Sequence, residues 1–317
     1  MSLTEDIKQK AIELGFDLVG ITDASPLDDK QFKFLNDWLA LGYAGRMLYM
    51  RKNLDKRTKP AKLLENAQSI ICLGLNYTPP MIEKKPPDTN ISAGRIANYA
   101  QYEDYHLFIK RQLRKLTDFI ASVAGTGFKF KICVDSAPVP ERALAVRAGL
   151  GFIGKNHMLI NPTLGPQIFL AEIITNLKLQ TDESVTDDCS GCNKCVDACP
   201  IGALQPDGHL NANKCISYLT IEYKGEIPPD LAEKIHDRLF GCDECVLACP
   251  YQQNVPVCKN KNFKFYPARA NLNLSRILDM TEDHFQTEFA DSPIKRPGLQ
   301  PLKRNAKICL QNLFTAK

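Results

Sequence analysis

CSGCNKCVDACP at residues 189–200, answered by CDECVLACP at residues 242–250, is the stretch on which the fold turns. The first run sets Cys189, Cys192, Cys195 and Cys199 in a C-x-x-C-x-x-C-x-x-x-C-P spacing. The second supplies Cys242, Cys245 and Cys249, with Cys215 upstream of it. Gaps of two residues let three thiolates reach three irons of one cubane from a single tight loop. The cysteine before the proline starts a helix that points away, toward a second cluster. Cluster one therefore takes Cys189, Cys192, Cys195 and Cys249. Cluster two takes Cys242, Cys245, Cys199 and, replacing the missing first cysteine of its run, Cys215. The 26 residues between Cys215 and Cys242 then loop out of a ferredoxin-like core. Zinc is the competing reading, because four-cysteine zinc sites also use C-x-x-C pairs. Three cysteines at two-residue spacing, the C-P ending and the duplication of both favour two 4Fe–4S clusters.

Eight of the twelve cysteines belong to this framework. A chain of 317 residues with 44% hydrophobic content has ample core and needs no covalent staples, so clustered cysteines point to metal and not to disulfides. Cys72, Cys133 and Cys309 sit in apolar patterns as core residues, and Cys258 is a spare. The N-terminus, MSLTEDIKQKAIELGF, shows no basic leader, apolar h-region or twin arginine, and no later stretch is long and apolar enough to span a bilayer. A cytoplasmic protein, off the membrane, is expected. The net charge of +4 hides two basic stretches. Residues 259–317 hold eleven Lys/Arg against five Asp/Glu, and residues 46–62 hold seven against Asp55 alone. Such patches suit a polyanionic partner or a solvated surface.

Around the cysteines the pattern changes twice. Residues 6–14 read as a helix ended by Gly15, 17–23 as a strand, and the apolar run 69–77 as a buried strand. Residues 79–88, with four prolines, read as a loop. Ile109, Leu113, Leu116 and Ile120 lie on one helix face, and 129–135 and 166–177 are further strands. PERALAVRA reads as a helix, with Pro140 near its first turn and Gly149 at its end. These elements describe an α/β domain with a mixed sheet over residues 1–179. A ferredoxin-like domain follows over 180–260, and a basic segment of short helices over 261–317 packs on the core. The chain as a whole is α+β.

Two adjacent clusters form a wire, and the ~180 residues ahead of them imply that the electrons are used there. The strongest chemistry in that region is VDSAPVPERALAVRAGLGFIGKN, residues 134–156. Asp135 leaves a strand for a turn, Arg142 and Arg147 follow on a helix, and three glycines surround Lys155 and His157. The residues leave Asp135 two readings, a catalytic carboxyl or a turn or cap at a strand-to-helix joint. A helix N-terminus keeps a carboxylate ionised, whereas a proton donor needs a raised pKa. His106, on the apolar face of Ile109 and Leu113, is a packed core histidine or a pocket residue, and His157 is open in the same way. No P-loop and no glycine fingerprint after a strand is present, so motifs give no support to ATP, nicotinamide or flavin.

The 134–156 run, the two cysteine sets, CISYLTIEYKG at 215–225 and SPIKRPG at 292–298 resemble the epoxyqueuosine reductase family over essentially the whole chain. The resemblance implies a nitroreductase-like cobalamin-binding fold, shared with reductive dehalogenases, followed by a bacterial two-cluster ferredoxin-like domain and short C-terminal helices. The longer helical-repeat region of many members would be at most a short version here. It implies an oxidoreductase that reduces epoxyqueuosine at the tRNA wobble position to queuosine, the last step of queuosine biosynthesis. Electrons from an external low-potential donor would pass through both clusters to cobalamin, and Asp135, in the matching V-D-S-A-P motif, would give the proton.

No D-x-H-x-x-G motif occurs; Asp104-Tyr105-His106 lacks the glycine, consistent with base-off cobalamin and no histidine ligand. Cobalamin contacts are expected from Arg57, which matches the family's K-R pattern, and from Asp135, Lys155 and His157. Ser217 and the loop Gly241, Cys242 and Asp243, which flank cluster-two ligands, are expected to join them. For tRNA the expected patch is Lys295, Arg296, Lys303 and Arg304, with Tyr223 and Lys224 beside it. Phosphate contacts of that kind give salt-sensitive affinity, and a splayed base would stack on aromatics. A dehalogenase-like enzyme is the nearest rival, but such enzymes usually carry a twin-arginine signal and lack a basic tail. An electron-transfer protein without a substrate of its own is the other. The chain is expected to act as a monomer.

Overall fold

The structure is a computed structural model that describes residues 2–81 and 92–315. Most of the proline-rich loop expected at 79–88 lies outside the described residues. Helix α1 (Leu3–Glu13) starts at Ser2, which forms a reciprocal capping box with Glu5, and the chain leaves it through Gly15 at φ 91°. Strand β1 (Leu18–Asp23), helix α2 (Asp29–Ala40), helix α3 (Leu54–Thr58) and strand β2 (Ser69–Asn76) follow. After β3 (Ala93–Ile96), helix α4 (Tyr105–Ala124) starts at Asp104, whose carboxylate accepts the His106 N–H. Then come β4 (Phe130–Cys133), α5 (Glu141–Arg147), the hairpin β5 (Phe152–Ile153) and β6 (Leu159–Ile160), and β7 (Ile168–Thr175).

The main sheet has the order β1-β2-β7-β4, and every pairing in it is antiparallel. The expected mixed sheet is therefore corrected. Alternating helices and strands resemble β-α-β units, but β7, late in the chain, inserts between β2 and β4, and no local pattern encodes that insertion. Both faces are covered, which explains the unbroken apolar runs of β2 and β7. On one face Leu73, Leu75, Ala171 and Ile173 pack under Ile7 and Ala11 of α1 and Leu113 and Leu116 of α4. On the other, Ile70, Cys72, Cys133 and Ile174 pack under Leu144, Ala145 and Ala148 of α5. Each such leucine or isoleucine contributes roughly 1.5–3 kcal/mol by burial.

Beyond residue 180 the elements are short: α6 (Lys194–Asp197), α7 (Ile216–Ile221), α8 (Pro229–Ala232), β8 (Arg238–Phe240) and α9 (Glu244–Leu247). They are followed by β9 (Asn271–Asn273), α10 (Leu274–Asp279), α11 (Glu282–Glu288) and α12 (Leu299–Thr315). Strand β3 pairs in parallel with β8 and antiparallel with β9. One small sheet thus takes a strand from each of the three segments read from sequence. Phe240, Leu274, Ile277, Phe285 and Leu302 pack beside Ile216 and Leu219, so α12 closes over the cysteine-bearing loops. Asn305 on α12, fully buried, donates to the carbonyls of Thr220 (2.9 Å) and Leu239 (3.1 Å). Among the described residues no helix is long and apolar enough to cross a membrane.

Candidate active site

The cysteines separate into two sets. Cys189, Cys192 and Cys195 line one cavity of about 40 Å³ together with Cys249 from the second run, and Lys155 and Tyr251 help to wall it. The other set is Cys199, Cys215, Cys242 and Cys245. Burial first, then the neighbouring Cys215, Cys242 and Cys199 thiols, push the Cys245 thiol well up. This is the crossed pairing the spacing predicts, and it arises because α6 and α9 pack side by side while each following Cys-Pro crosses to the opposite loop. No three His, Cys, Asp or Glu among the described residues gather closely enough for a single metal ion. Thiols around a cubane each meet a different iron and so stand further apart than ligands of one zinc. Backbone N–H groups already point at sulfur, from Lys155 to Cys189 Sγ (3.4 Å) and from Ala203 to Cys199 Sγ (3.2 Å). Four converging cysteines carry their thiolate form only against a strongly cationic group, which suits iron.

Asp135 stands where β4 gives way to a turn. Its φ is 54°, a left-handed conformation unusual outside glycine, and its N–H donates to Glu141 Oε1 (2.6 Å). Helix α5 begins only at Glu141, after Pro140 with no side-chain cap, so the helix-cap reading of Asp135 is excluded. The Asp135 carboxylate meets His106 Nε2 at 2.9 Å, and His106 Nδ1 meets Asp104 Oδ1 at 2.8 Å. Both ring nitrogens face carboxylate oxygens, which only accept, so both must carry protons and the ring is an imidazolium. Burial opposes that charge, but the hydrogen bonds to Asp104 and Asp135 prevail and lift His106 to about 9. Burial likewise acts to raise Asp135, yet His106, Arg296 and Tyr105 outweigh it and hold its carboxyl below the usual range. The core-histidine reading of His106 is thereby corrected. It lies in the first turn of α4, at the rim of the sheet, and not further along the buried face.

The walls around Asp135 come from scattered segments. His106 stacks on Tyr105 (4.0 Å between centroids), and Tyr105 on Phe169 (4.2 Å). Arg57 and Tyr49 approach Asp135 from the basic 46–62 stretch, and Arg296 approaches from the C-terminal segment. Asp135 and Arg296 are each 44% exposed, so these side chains are open to an incoming ligand. Two buried polar atoms have no partner, Arg57 Nε near Asp135 and His157 Nε2 beside Arg142. Burial, reinforced by the Arg142 cation, lowers His157 to about 4 and leaves it neutral. Its φ of 61° is a second left-handed position. Glu141 is raised to about 7 by burial and by the Asp135 charge.

The other expected contacts divide by location. Lys155 belongs to the first cysteine set, with its Nζ donating to Asn193 Oδ1 (2.7 Å). Ser217, Gly241, Cys242 and Asp243 stand at the second. Ser217 Oγ reaches the Cys242 carbonyl (3.4 Å), and the Gly241 N–H donates to Thr220 Oγ1 (3.0 Å). A Cβ on Gly241 would come within 2.6 Å of Ala97 Cβ, so the loop needs glycine there. Asp243 Oδ2 accepts from the Asn98 N–H (2.6 Å), and burial raises this carboxyl to about 6. Tyr99 stands between this loop and the cleft, feeling both Asp243 and Asp135. Sequence reading missed Tyr99, Tyr105 and Glu141 as site residues and left His106 open between core and pocket. The only local signal was the polar Asp104-Tyr105-His106 at a helix start.

The expected nucleic-acid patch is partly corrected. Arg304 Nη1 donates to the carbonyls of Tyr223 (2.8 Å) and Gly225 (2.5 Å), and Nη2 to Leu219 (2.7 Å). Lys224 Nζ donates to the Pro297 carbonyl (2.7 Å). These two cations hold the 219–225 loop and are not free for phosphate, because the buried loop carbonyls need donors. Tyr223 lies under the Arg46 guanidinium, 5.0 Å from its ring centre. Arg296 pairs with Glu222 (2.5 Å) at the cleft mouth, while Lys295 is exposed and Lys303 half-exposed.

A mixed α+β fold in which two four-cysteine sets stand beside a cleft of titratable side chains defines an iron–sulfur oxidoreductase. Residues 188–252 match the family model "4Fe-4S double cluster binding domain", and residues 57–136 match "Epoxyqueuosine reductase QueG, DUF1730". The chain is 41% identical over 307 residues to an epoxyqueuosine reductase of Cyclobacterium marinum, covering 95% of each. A crystal structure of epoxyqueuosine reductase with an epoxyqueuosine-modified tRNA-Tyr stem loop superposes with a TM-score of 0.91 at 33% identity, over 98% of this chain and 81% of that one. The Bacillus subtilis epoxyqueuosine reductase, solved with its aspartate catalytic loop swung out of the active site, gives a TM-score of 0.90 at 33% identity over the same shares. The chain belongs to the epoxyqueuosine reductase family.

Proposed function

We propose that this protein reduces the epoxide of epoxyqueuosine in tRNA to give queuosine, in a cleft shared by the antiparallel-sheet region and the cysteine-bearing loops. The carrying observation is Asp135, strained at φ 54° and aimed into that cleft on a hydrogen bond from His106. Residues 1–179 hold a nitroreductase-like cobalamin site, residues 180–260 carry the clusters, and residues 261–317 close the cleft and face the tRNA. Cluster one is ligated by Cys189, Cys192, Cys195 and Cys249, and cluster two by Cys199, Cys215, Cys242 and Cys245. The protein works as a cytoplasmic monomer fed by an external low-potential donor.

The residues present fit cobalamin. Arg57 Nε and His157 Nε2 are buried donors or acceptors awaiting a partner. Leu48 and Tyr49, 64% and 45% exposed, offer apolar surface beside Asp135 to a large amphipathic ring. Cobalamin, once bound and reduced, supplies the electrons at the substrate. The chain does the rest. Gly241, Cys242 and Asp243 bring the second cluster to the cleft through Tyr99. Asp135 orients toward the epoxide oxygen and passes it a proton from His106, which resolves how a carboxylate held below its usual pKa serves as donor. Arg296, Lys295 and Lys303 take phosphates at the mouth. The swung-out aspartate loop of the Bacillus subtilis relative accords with a mobile role for the turn at Asp135.

The test is anaerobic reconstitution with iron, sulfide and hydroxocobalamin, followed by a chemical reductant and tRNA carrying epoxyqueuosine, read by nucleoside mass spectrometry. Cobalamin-dependent conversion to queuosine is expected. Cobalamin binding without conversion would turn the reading toward small substrates of dehalogenase type, and absence of cobalamin binding would leave an electron carrier.

A further inference from the structure

Arg269 is a buried cation that neither the cleft nor the cysteine sets use. It ends a short helical turn at Pro267–Arg269 and is 8% exposed. Its guanidinium lies over the Tyr266 ring, 3.8 Å from the centroid. Nη1 donates to the Tyr102 carbonyl (3.0 Å) and Nη2 to Asp291 Oδ1 (2.5 Å). Asp291 Oδ2 takes the Tyr266 hydroxyl, so both oxygens of that carboxylate are held. The Asp291 carbonyl in turn accepts the Asp104 N–H at 2.6 Å. Asp104 caps α4, and its N–H is one the helix itself cannot satisfy.

The grip reaches further back along the same loop. Tyr102 bridges Phe265 in an antiparallel pairing, and the Tyr266 N–H donates to the Gln101 carbonyl (2.8 Å). Glu103 Oε1 takes the Lys264 N–H (3.0 Å). Residues 101–104 are thus fastened to 264–269 and to Asp291 before the chain enters α4 and delivers His106 two positions later. From Asp291 the chain continues through the turn Pro293–Lys295 to Arg296 at the cleft mouth. One guanidinium therefore joins the segment that starts α4 to the segment that carries Arg296.

We propose that Arg269 is a positioning residue for epoxide reduction: by holding the Tyr102 carbonyl and the Asp291 carboxylate together it fixes Asp104, and through Asp104 the contact of His106 with Asp135. The inference rests on the reading of the cleft as an epoxide-reducing site. Arg269 itself touches neither substrate nor cofactor. Asp104 Oδ1 accepts from both the His106 N–H (2.9 Å) and His106 Nδ1 (2.8 Å), so a displaced Asp104 loses two contacts at once. Hydrogen bonds of that length are lost within about 0.7 Å of movement. Misplacement on that scale costs up to about a hundredfold in rate. The planar fork of an arginine spans two acceptors in fixed geometry, which the point charge of a lysine does not. Besides Asp104 and Asp135, His106 meets the Tyr105 ring and faces Glu141, and Arg296 faces Asp135.

The test uses the cluster- and cobalamin-loaded protein and Arg269→Lys, which keeps the charge and loses the fork. Nitrogen NMR reads the His106 titration, beside single-turnover rates. His106 should titrate about half a pH unit or more below the parent, and turnover should fall about tenfold. Arg269→Lys combined with Asp104→Asn should match Asp104→Asn alone, because the clamp acts through Asp104. Arg304→Ala is the control for destabilisation, lowering stability while leaving His106 at the parent value. An Arg269→Lys protein that loses stability with His106 unmoved would overturn the proposal and leave Arg269 a structural anchor. Additive effects in the double variant would overturn the route through Asp104. If Arg269→Lys fails to fold, Asp291→Asn, which removes the charge that Arg269 holds, decides by the same His106 shift. A parent protein that leaves epoxyqueuosine untouched would defeat the reading of the cleft, while the His106 titration still tests the clamp.

Discussion

Replacing Asp104 by Asn isolates the electrostatic core of the cleft, because Asp104 touches His106 and not the open site. His106 sits between Asp104 at 2.8 Å and Asp135 at 2.9 Å, and the two together lift it from 6.5 to about 9. That difference is worth ~3 kcal/mol of preference for the charged ring, against a burial cost that works the other way. The two carboxylates stand at nearly equal distance, so each supplies about half or more of the net effect. Asp104→Asn should bring His106 down by roughly one pH unit or more, and unmask burial as the opposing influence. The sign is that of a raised cation. The stabilisation is fully present below about pH 6.5, where the unfolded chain also binds the proton, and is lost as pH rises through about 9. Histidine-selective nitrogen NMR on the oxidised, anaerobic holoprotein reads this directly, with only five histidines to resolve. The alkaline limb of the turnover profile should move down with the NMR value, since His106 charges Asp135. A His106 that titrates at or below its ordinary value in the parent protein, or that ignores Asp104→Asn, would refute the charge-pair account.

Three further outcomes follow from the same geometry. Cys215→Ala should leave one cluster, with iron falling from about eight to about four per chain, and unchanged iron would remove Cys215 from the ligand set. Arg57→Ala should weaken cobalamin binding roughly tenfold in an equilibrium titration while iron content holds, since a polar acceptor of the cofactor loses its charged donor; unaltered affinity would place the cofactor elsewhere. Arg304→Ala should cost about 2–4 kcal/mol in chemical denaturation by orphaning the Leu219, Tyr223 and Gly225 carbonyls, whereas Lys295→Ala should leave stability alone and lower the salt slope of tRNA binding by about one.

The cluster framework was legible because it is local. C-x-x-C spacing fixes which thiols share a loop and the Cys-Pro step fixes which one departs, while the packing of α6 beside α9 brings each departing thiol to the opposite set. Strand positions were legible for a similar reason, since β2 and β7 are buried on both faces and read as unbroken apolar runs. Asp135 stood out through its motif. What the tertiary structure alone decided depends on pairings distant in sequence. The insertion of β7 between β2 and β4 made the sheet antiparallel. It also set Glu172 between Cys72 and Cys133, where an ordinary strand glutamate becomes an unpartnered buried acid. The folding of α4's first turn against the end of β4 brought His106 to Asp135 across 29 positions of chain, and that contact holds the carboxyl below its usual range. Arg304 and Lys224 looked like phosphate ligands in sequence because a side chain's charge is local information; whether a backbone carbonyl has already claimed it is not.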